Sequence, residues 1–278
     1  MQNYRLIISC PDQSGIIAKI SGLIAKYHGW ILEADQHSDL ENNWFFMRYE
    51  IKVDSIKDQL DAFKHELTQL ATSLQITWQL IDPNIPKKIL LLASRTPHCL
   101  MEILHLVKAQ DLFCKIQAVI SNHDHLRSEV TPYQLPYHTL ALTPDEKDLR
   151  ELFHHYQPDV IVLARYMQII PPKLCQEYQG KIINIHHSFL PSFAGGDPYQ
   201  QAFDRGVKLI GASCHYVTPA LDEGPIISQD VVAISHRDSK FDLIREGKNI
   251  EKRVLATGLR YHLEDRVSIY GNKTVVFK

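Results

Sequence analysis

The sequence predicts two α/β domains: a small ferredoxin-like domain, followed by a larger Rossmann-like domain built on a mostly parallel sheet. Three observations lead to this prediction. Residues 1–81 follow the order strand, helix, strand, strand, helix, strand, which is the order of the split ferredoxin-like unit. Pro83 and Pro86 then interrupt the pattern. Beyond them, short apolar runs alternate with helical segments, and this alternation is typical of a parallel sheet covered on both faces.

The first predicted domain covers residues 1–81. Its first helix follows the start signal Asp12-Gln13-Ser14-Gly15, after which isoleucine and leucine recur at helical spacing. Period-two alternation predicts the strands. The predicted strands are 4–9, 31–37, 44–53 and 74–80, and the predicted helices are 14–28 and 56–72.

A linker is predicted at residues 82–87, and the second domain at residues 88–278. Its strands are predicted from apolar runs and its helices from helical periodicity. The predicted strands are 88–93, 114–121, 160–164, 181–185, 211–217 and 225–234, and the predicted helices are 98–110, 144–156, 197–205 and 240–262. A terminal hairpin is expected around residues 270–273.

Composition excludes several classes of function. Thirty basic and thirty-two acidic residues give a formal net charge of -2, so no overall field favours nucleic acid or an anionic membrane. Five cysteines without CxxC spacing indicate free thiols in a reducing compartment. The amino terminus lacks the apolar core of a signal peptide, and no run is long enough to span a membrane. We therefore expect a cytoplasmic protein.

Two polar side chains mark the end of one predicted strand. In the run 180–185, period-two alternation places Asn184 and His186 on one face and Ile183 and Ile185 on the other. An amide donor beside an imidazole suits the oxyanion that forms in acyl transfer. The pair alone is weak evidence, because a strand-end asparagine often caps a helix and a histidine often bonds a backbone carbonyl.

The residues that follow this pair carry a family resemblance. They are His187-Ser188-Phe189-Leu190-Pro191-Ser192-Phe193, then Gly195, Gly211-Ala212, His215-Tyr216-Val217 and Leu221-Asp222-Glu223-Gly224-Pro225-Ile226. This combination resembles the folate-dependent formyltransferase superfamily. The resemblance implies that Asn184, His186 and Asp222 form a catalytic trio, with Asp222 lying 38 positions after Asn184.

Nearly the whole chain takes part in the resemblance. The segments Cys10–Ile16 and Ala34–His37 resemble an ACT domain, a small ligand-sensing or oligomerising module. Fused ahead of a formyltransferase-like domain with the motifs Ser94–Leu100, Ser121–Asp124 and Arg165–Gln168, it resembles the formyltetrahydrofolate deformylase family. The resemblance implies hydrolysis of 10-formyltetrahydrofolate to tetrahydrofolate and formate, with formate released for purine synthesis and no resident cofactor.

The resemblance also implies where the folate binds. Backbone groups of Gln168, Ile169 and Ile170 would meet the pterin, and Val217 and Thr218 would form the opposite wall. Gly195 would permit close approach to the formyl group. Asp197 departs from the family pattern at a position where a basic or amide residue often precedes the proline, which puts an anion contact there in doubt.

His187 stands where the related transferases carry proline. The resemblance therefore suggests a role in holding the attacking water. The alternative is a histidine satisfied by hydrogen bonds in the core or at an interface. His215 is expected to line the pocket or support Asp222.

The sequence argues for water as the acceptor. A transferase acting on a phosphorylated ribosylamine needs to hold the phosphate, usually with a glycine-rich turn after the first strand. Here that turn is Ser94-Arg95-Thr96-Pro97-His98, without glycine, although Arg95 can still attract an anion by its charge. A formyltransferase with an amine acceptor and a non-catalytic folate or amino-acid sensor are the alternatives.

Two further expectations concern ligands outside the trio. Asp12, Ser14 and Gly15 at a helix start can hold an amino-acid effector, since helix N-termini favour carboxylates; the alternative is an ordinary capped turn in a domain that only pairs subunits. A homo-oligomer is expected in either case. The histidine pairs 123/125 and 154/155 lack metal-ligand spacing, so no metal is expected.

Overall fold

The protein divides into two units. A computed structural model describes residues 3–141, 146–192 and 198–278. Unit 1 contains residues 1–85, 264–270 and 275–278, and unit 2 contains residues 86–263 and 271–274. The sequence had assigned residues 264–278 to the second domain. Most of them group with unit 1 instead, because the Tyr270 ring stacks on Trp44 at 5.2 Å and Asp265 accepts a hydrogen bond from Arg5 at 3.1 Å.

Unit 1 is built on a four-stranded antiparallel sheet with strand order β2-β3-β1-β4. The strands are β1 (Tyr4–Pro11), β2 (Ile31–Asp39), β3 (Trp44–Ile51) and β4 (Thr77–Ile81), and the helices are α1 (Ile16–Lys26), α2 (Val53–Ile56) and α3 (Leu60–Leu74). The element order and the strand order are those of the ferredoxin-like unit.

The second predicted helix of unit 1 differs in its bounds. The structure divides it at the 3₁₀ turn Lys57–Gln59 and extends α3 to Leu74, which the sequence had placed in the last strand. The buried stripe Phe63, Leu67, Ala71 and Leu74 explains the extension, because its helical spacing keeps apolar side chains on one face.

Unit 2 is built on a seven-stranded sheet with strand order β11-β10-β9-β8-β5-β6-β7 within the described residues. The strands are β5 (Lys87–Ala93), β6 (Cys114–Ser121), β7 (Tyr137–Thr139), β8 (Val160–Leu163), β9 (Ile182–His186), β10 (Leu209–Tyr216) and β11 (Ile226–Ala233). The helices are α4 (His98–Lys108), α5 (Arg127–Val130), α6 (Glu146–Tyr156), α7 (Pro172–Glu177), α8 (Pro198–Arg205) and α9 (Lys240–Leu263). A hairpin of β12 (Val267–Tyr270) and β13 (Lys273–Val276) follows.

The large sheet is mostly parallel, as the sequence predicted. Strands β7, β6, β5, β8 and β9 pair in parallel, whereas β10 and β11 run antiparallel at one edge. Strand β5 begins at Lys87, one residue inside the predicted linker. Three elements were not predicted, namely β7, α5 and α7, because segments of three to six residues are too short to show a period.

Helices cover both faces of this sheet. Side chains from α6 and α7 join one core with β5, β6, β8 and β9. Helix α9 packs on the other face against β9, β10 and β11, and α4 and α8 pack against α9. The carboxyl ends of the parallel strands therefore form an edge between two helical layers, where ligands bind in open α/β sheets.

Within the described ranges, each helix is too short or too polar to cross a lipid bilayer.

Candidate active site

Asn184 and His186 lie at the carboxyl end of β9, on the same face of the strand. Strand β10 runs antiparallel beside them, and its register sets His215 directly opposite Asn184. Three polar side chains therefore meet at one end of these two strands. This arrangement needs both strands, since β9 carries two of the three groups and β10 supplies the third.

His215 orients the Asn184 amide. Its Nδ1 lies 2.9 Å from the carbonyl oxygen of Tyr216, which can only accept, so Nδ1 carries the proton. Burial lowers the pKa of His215, so the ring is neutral and Nε2 is an acceptor. The Asn184 Nδ2 donates to this Nε2 at 3.2 Å. The second N–H of the amide remains available for a ligand.

Asp222 completes the group from the loop between β10 and β11. Its Oδ1 lies 3.3 Å from His186 Nδ1 and 3.7 Å from His215 Nε2. The hydrogen bond from His186 holds the pKa of Asp222 below its ordinary value, against the effect of burial. The ionised Asp222 therefore accepts a hydrogen bond from the Nδ1–H group of His186. The His186 Nε2 is buried and has no hydrogen-bond partner among the described residues.

Gly224 allows this loop to fold back on β10. A Cβ at residue 224 would lie 1.8 Å from the carbonyl oxygen of Tyr216, so Gly224→Ala forces the backbone apart. We expect a loss of about 1–3 kcal/mol in unfolding free energy and a fall in activity, because Asp222 is displaced. Urea unfolding measures the change in stability, and steady-state rates measure the change in activity.

The matched control is Gly22→Ala in α1, where the added Cβ meets open space and alanine stabilises a helix. Equal losses of unfolding free energy in the two variants would contradict the steric argument.

A cavity of about 340 Å³ opens beside these residues. It is lined by Leu163, Arg165, Tyr166, Met167, Gln168, Ile169, Ile170, Asn184, Ile185, His186, His187, His215, Val217, Thr218, Pro219, Leu221 and Asp222. The trio expected from the sequence and five of the six expected substrate-binding residues are thus brought together. The sixth, Gly195, and also Asp197, lie outside the described residues.

Known proteins resemble this chain in sequence and in fold. Residues 87–259 match the model of the formyl transferase family. A formyltetrahydrofolate deformylase of Synechocystis sp. is 43 % identical over 100 % of both chains, and that of Bacillus subtilis is 42 % identical over 98 % of this chain and 93 % of its own. The crystal structure of a deformylase from Pseudomonas syringae pv. tomato superposes with a TM-score of 0.96 at 52 % identity, covering 100 % of this chain and 95 % of that one.

The chain belongs to the formyltetrahydrofolate deformylase family. The matched family model lies within unit 2, whereas the match to whole deformylases extends over unit 1 as well.

His187 is buried in this member of the deformylase family, with 7 % of its surface exposed. Its ring lies 5.1 Å from that of His186 and 6.0 Å from that of Tyr199. Burial and the charge of Arg165 lower the pKa of His187 to about 4. The ring is therefore neutral at physiological pH and lines the cavity as a hydrogen-bonding group without charge.

The buried neutral His187 makes stability depend on pH. Its folded pKa of about 4 lies below the unfolded value of ~6.5, so the folded state binds fewer protons. Its contribution is complete above pH ~6.5 and is lost as pH falls toward ~4. Between pH 7.5 and pH 5 we expect it to account for about 2 kcal/mol of lost unfolding free energy.

Urea unfolding of His187→Gln at these two pH values tests this expectation. The pH-dependent loss should shrink by about 2 kcal/mol. The same substitution at His236, which is exposed, should leave the loss as it is. If the loss of unfolding free energy between the two pH values is the same in His187→Gln as in the unmodified protein, the ring of His187 is already protonated in the folded protein at pH 5.

Sequence reasoning missed the role of several lining side chains. Met167, Ile169 and Leu221 expose large apolar side chains at the cavity, and such surfaces mark binding sites. The sequence predicts that Ile169 contacts the pterin through its backbone, and it predicts no role for the side chains of Met167, Leu221 and Arg165. The position of Arg165 was signalled only by the motif Arg165-Tyr166-Met167-Gln168 after a predicted strand.

The expected effector residues lie in unit 1. Gly15 precedes α1 with φ of 87°, and among the described residues no side chain caps the helix start. Asp12 donates its backbone N–H to the carbonyl oxygen of Asn43 at 2.9 Å. The first backbone N–H groups of an α-helix have no partner inside the helix, and a carboxylate suits that position.

Proposed function

We propose that this protein hydrolyses 10-formyltetrahydrofolate to tetrahydrofolate and formate. The observation that carries the proposal is the convergence of Asn184, His186 and Asp222 on one cavity, in a chain that matches deformylases over its full length. A site that only binds folate has no need of an amide donor, an imidazole and a carboxylate at one point.

The formyl carbon of the substrate is reactive enough for water to attack it directly. The formyl group is attached to an aniline-like nitrogen, whose lone pair is shared with the ring. Its carbonyl carbon is more electrophilic than that of a peptide, and the amine is a weakly basic leaving group. Water adds to the formyl carbon, the C–N bond breaks as the nitrogen gains a proton, and formate leaves. Side chains and water suffice for these steps.

Asn184 is proposed to stabilise the oxyanion. One N–H of its amide is committed to His215 Nε2, which holds the nitrogen rather than the oxygen toward the cavity. The other N–H then donates to the formyl oxygen as negative charge develops. A donor fixed in advance stabilises the transition state without reorganising.

His186 and Asp222 are proposed to move the protons. Asp222 accepts a hydrogen bond from the Nδ1–H of His186, which leaves Nε2 as the nitrogen that can act as the base. This buried atom, unpartnered in the described part of the chain, takes the proton from the attacking water and returns it to the leaving nitrogen. Asp222 fixes the tautomer and stabilises the imidazolium that forms in between. His187 is proposed to hold the attacking water.

The pterin is proposed to lie between residues 168–170 and Val217 with Thr218. Ile169 is 73 % exposed, and contact with an aromatic ring would remove this apolar surface from water. We expect Ile169→Asp to raise KM roughly tenfold or more with a smaller effect on kcat, measured from initial rates of formate release. Ile85 is equally exposed, at 72 %, and does not line the cavity, so Ile85→Asp is the matched control. An equal rise in KM for both variants would show that the exposed Ile169 side chain does not bind the pterin.

Incubation of the purified protein with 10-formyltetrahydrofolate alone tests the proposed reaction. Tetrahydrofolate and formate should form in equal amounts without an added amine, and prior treatment with EDTA should leave the rate unchanged. Release of formate only after an amine is added, or tight folate binding without turnover, would contradict the proposal. The first outcome favours a formyltransferase and the second a sensor.

We further propose that unit 1 is an ACT-type regulatory module. Its ferredoxin-like topology and the uncapped start of α1 at Gly15 support an amino-acid effector held by Asp12, Ser14 and Gly15, in a homo-oligomer. Single amino acids should shift the thermal midpoint of the protein, and a Gly15→Val variant should lose that shift. Light scattering measures the oligomer, and a monomer at working concentration would contradict the assembly.

The reaction is proposed to take place in the cytoplasm and to supply formate for purine synthesis. All five cysteines are free, which suits a reducing compartment.

A further inference from the structure

A buried ionic cluster lies in unit 2 beside the catalytic cavity. It consists of Glu251 on α9 together with His98, Arg165 and Tyr199, and we call it the Glu251 cluster. The Glu251 side chain accepts hydrogen bonds from the Tyr199 hydroxyl and from His98 Nε2 at 2.7 Å. Arg165 Nε lies 3.3 Å from the same carboxylate. Only 1 % of Glu251 is exposed.

The surroundings of Glu251 favour its ionised form. Burial raises the pKa of Glu251, but the hydrogen bond from His98 and the charge of Arg165 outweigh burial and hold the pKa below its ordinary value. Burial and the neighbouring Glu251 raise the pKa of Tyr199, so its hydroxyl keeps the proton that it donates. Two hydrogen bonds and the ion pair with Arg165 leave this buried carboxylate little freedom to move.

The cluster adjoins the proposed folate site. The His187 ring lies 5.1 Å from that of His186 and 6.0 Å from that of Tyr199. Arg165, a member of the cluster, and His187 both line the cavity, so the cluster forms part of the cavity wall on this side.

This wall is tightly packed. A Cβ added at Gly247 in α9 would lie 2.1 Å from the Tyr199 hydroxyl, which shows that the helix backbone and the tyrosine are in direct contact. His98 is the first residue of α4 and the last residue of the turn where a phosphate-bearing acceptor would have to be held. Its ring is bonded to Glu251 instead of facing solvent.

We propose that the Glu251 cluster closes the acceptor side of the cavity, so that water but no larger amine reaches the formyl carbon. The inference rests on the proposed function. With the pterin between residues 168–170 and 217–218, a nucleophile has to approach from the side of His187 and Arg165. An amine acceptor there would have to displace a buried ion pair.

The unmodified protein provides the first test. In the presence of glycinamide, attack by the amine nitrogen would replace attack by water, and the C–N bond would break to give N-formylglycinamide in place of formate. We expect formate release to be undiminished and N-formylglycinamide to stay at the non-enzymatic level. Enzymatic formation of N-formylglycinamide would overturn the inference. If neither product forms, the proposed hydrolysis itself has failed, so the two failures are distinguishable.

Two double variants distinguish the effect of side-chain volume from the effect of charge on acceptor exclusion. Arg165→Ala with Glu251→Ala removes the ion pair as a unit and opens the wall. Arg165→Met with Glu251→Met removes the charges but keeps most of the volume. Relative to the Met pair, the Ala pair should form roughly tenfold or more N-formylglycinamide per formate. Equal ratios in two folded, active variants would overturn the role of the cluster in excluding acceptors.

Metal analysis of the purified protein is the second measurement, and it remains decisive if the Ala pair does not fold. His98, Cys99 and Glu251 place ligand atoms within 4.8 Å of one another, which is close enough for a metal ion. The nearby guanidinium of Arg165 opposes a cation, so we expect no stoichiometric zinc. One equivalent of zinc that is lost in Cys99→Ser would make the cluster a metal centre and overturn the inference.

Discussion

Replacing Asn184 by alanine is expected to lower kcat for formate release by about 100- to 1,000-fold, the usual effect of losing one oxyanion donor. The loss should appear mainly in kcat, because the amide bonds the formyl oxygen most strongly when charge has developed on it. KM should change little, since the apolar walls that hold the pterin are untouched. Initial rates with 10-formyltetrahydrofolate measure both constants.

Asn122→Ala is the matched control for this variant. Asn122 is another asparagine at a strand end of the same sheet; it is buried, follows β6, and its amide oxygen accepts a hydrogen bond from Ser94, but it does not line the cavity. Its loss should reduce kcat less than about tenfold. A folded Asn184→Ala protein with the unmodified rate would remove Asn184 from the mechanism.

Replacing Asp222 by asparagine is expected to lower kcat by about 100- to 10,000-fold, the range for loss of acid–base assistance. The amide has nearly the same shape but no charge, so it no longer stabilises an imidazolium at His186. Its NH₂ group can also donate to Nδ1, which moves the proton of the ring to Nε2 and removes the acceptor that faces the water. The measurement is kcat across pH 6–9, with circular dichroism to show that the fold is kept.

Asp124→Asn is the matched control. The pKa of Asp124 is also lowered by hydrogen bonds, from Thr139 and Arg127, but this carboxylate lies on a loop away from the cavity lining. Its rate should stay within about twofold of the unmodified protein, as is usual for surface ion pairs. Equal rate losses in both variants would point to a general effect of removing a negative charge.

The fold was predictable wherever a segment was long and strongly periodic. The alternation of β1 and the stripe of α9 identify their elements without any contact being known. Elements such as β7 and α7 escaped, because three to six residues do not complete a pattern. The sequence also did not predict that residues 264–270 belong to unit 1. Their position depends on the stacking of Tyr270 on Trp44, more than two hundred positions earlier in the chain.

The site was predictable to a different extent for each residue. Alternation along one strand was enough to pair Asn184 with His186, and the resemblance to formyltransferases added Asp222. The hydrogen bond that orients Asn184 was not foreseen, since it depends on the antiparallel register that sets His215 opposite it. The sequence also gave no sign that Glu251 joins His98, Arg165 and Tyr199.

The sequence by itself determined the fold class and the face on which each strand-end side chain lies, because these follow from periodicity within short segments. The proposed trio came from the family resemblance that the motifs of the sequence carry. Only the tertiary structure decided which ring nitrogen carries the proton in His186 and in His215, which atom of Asn184 faces the cavity, and which residues pack against His187. Hydrogen bonds and burial settle these points, and they arise between residues that only chain folding brings within 3–4 Å of one another.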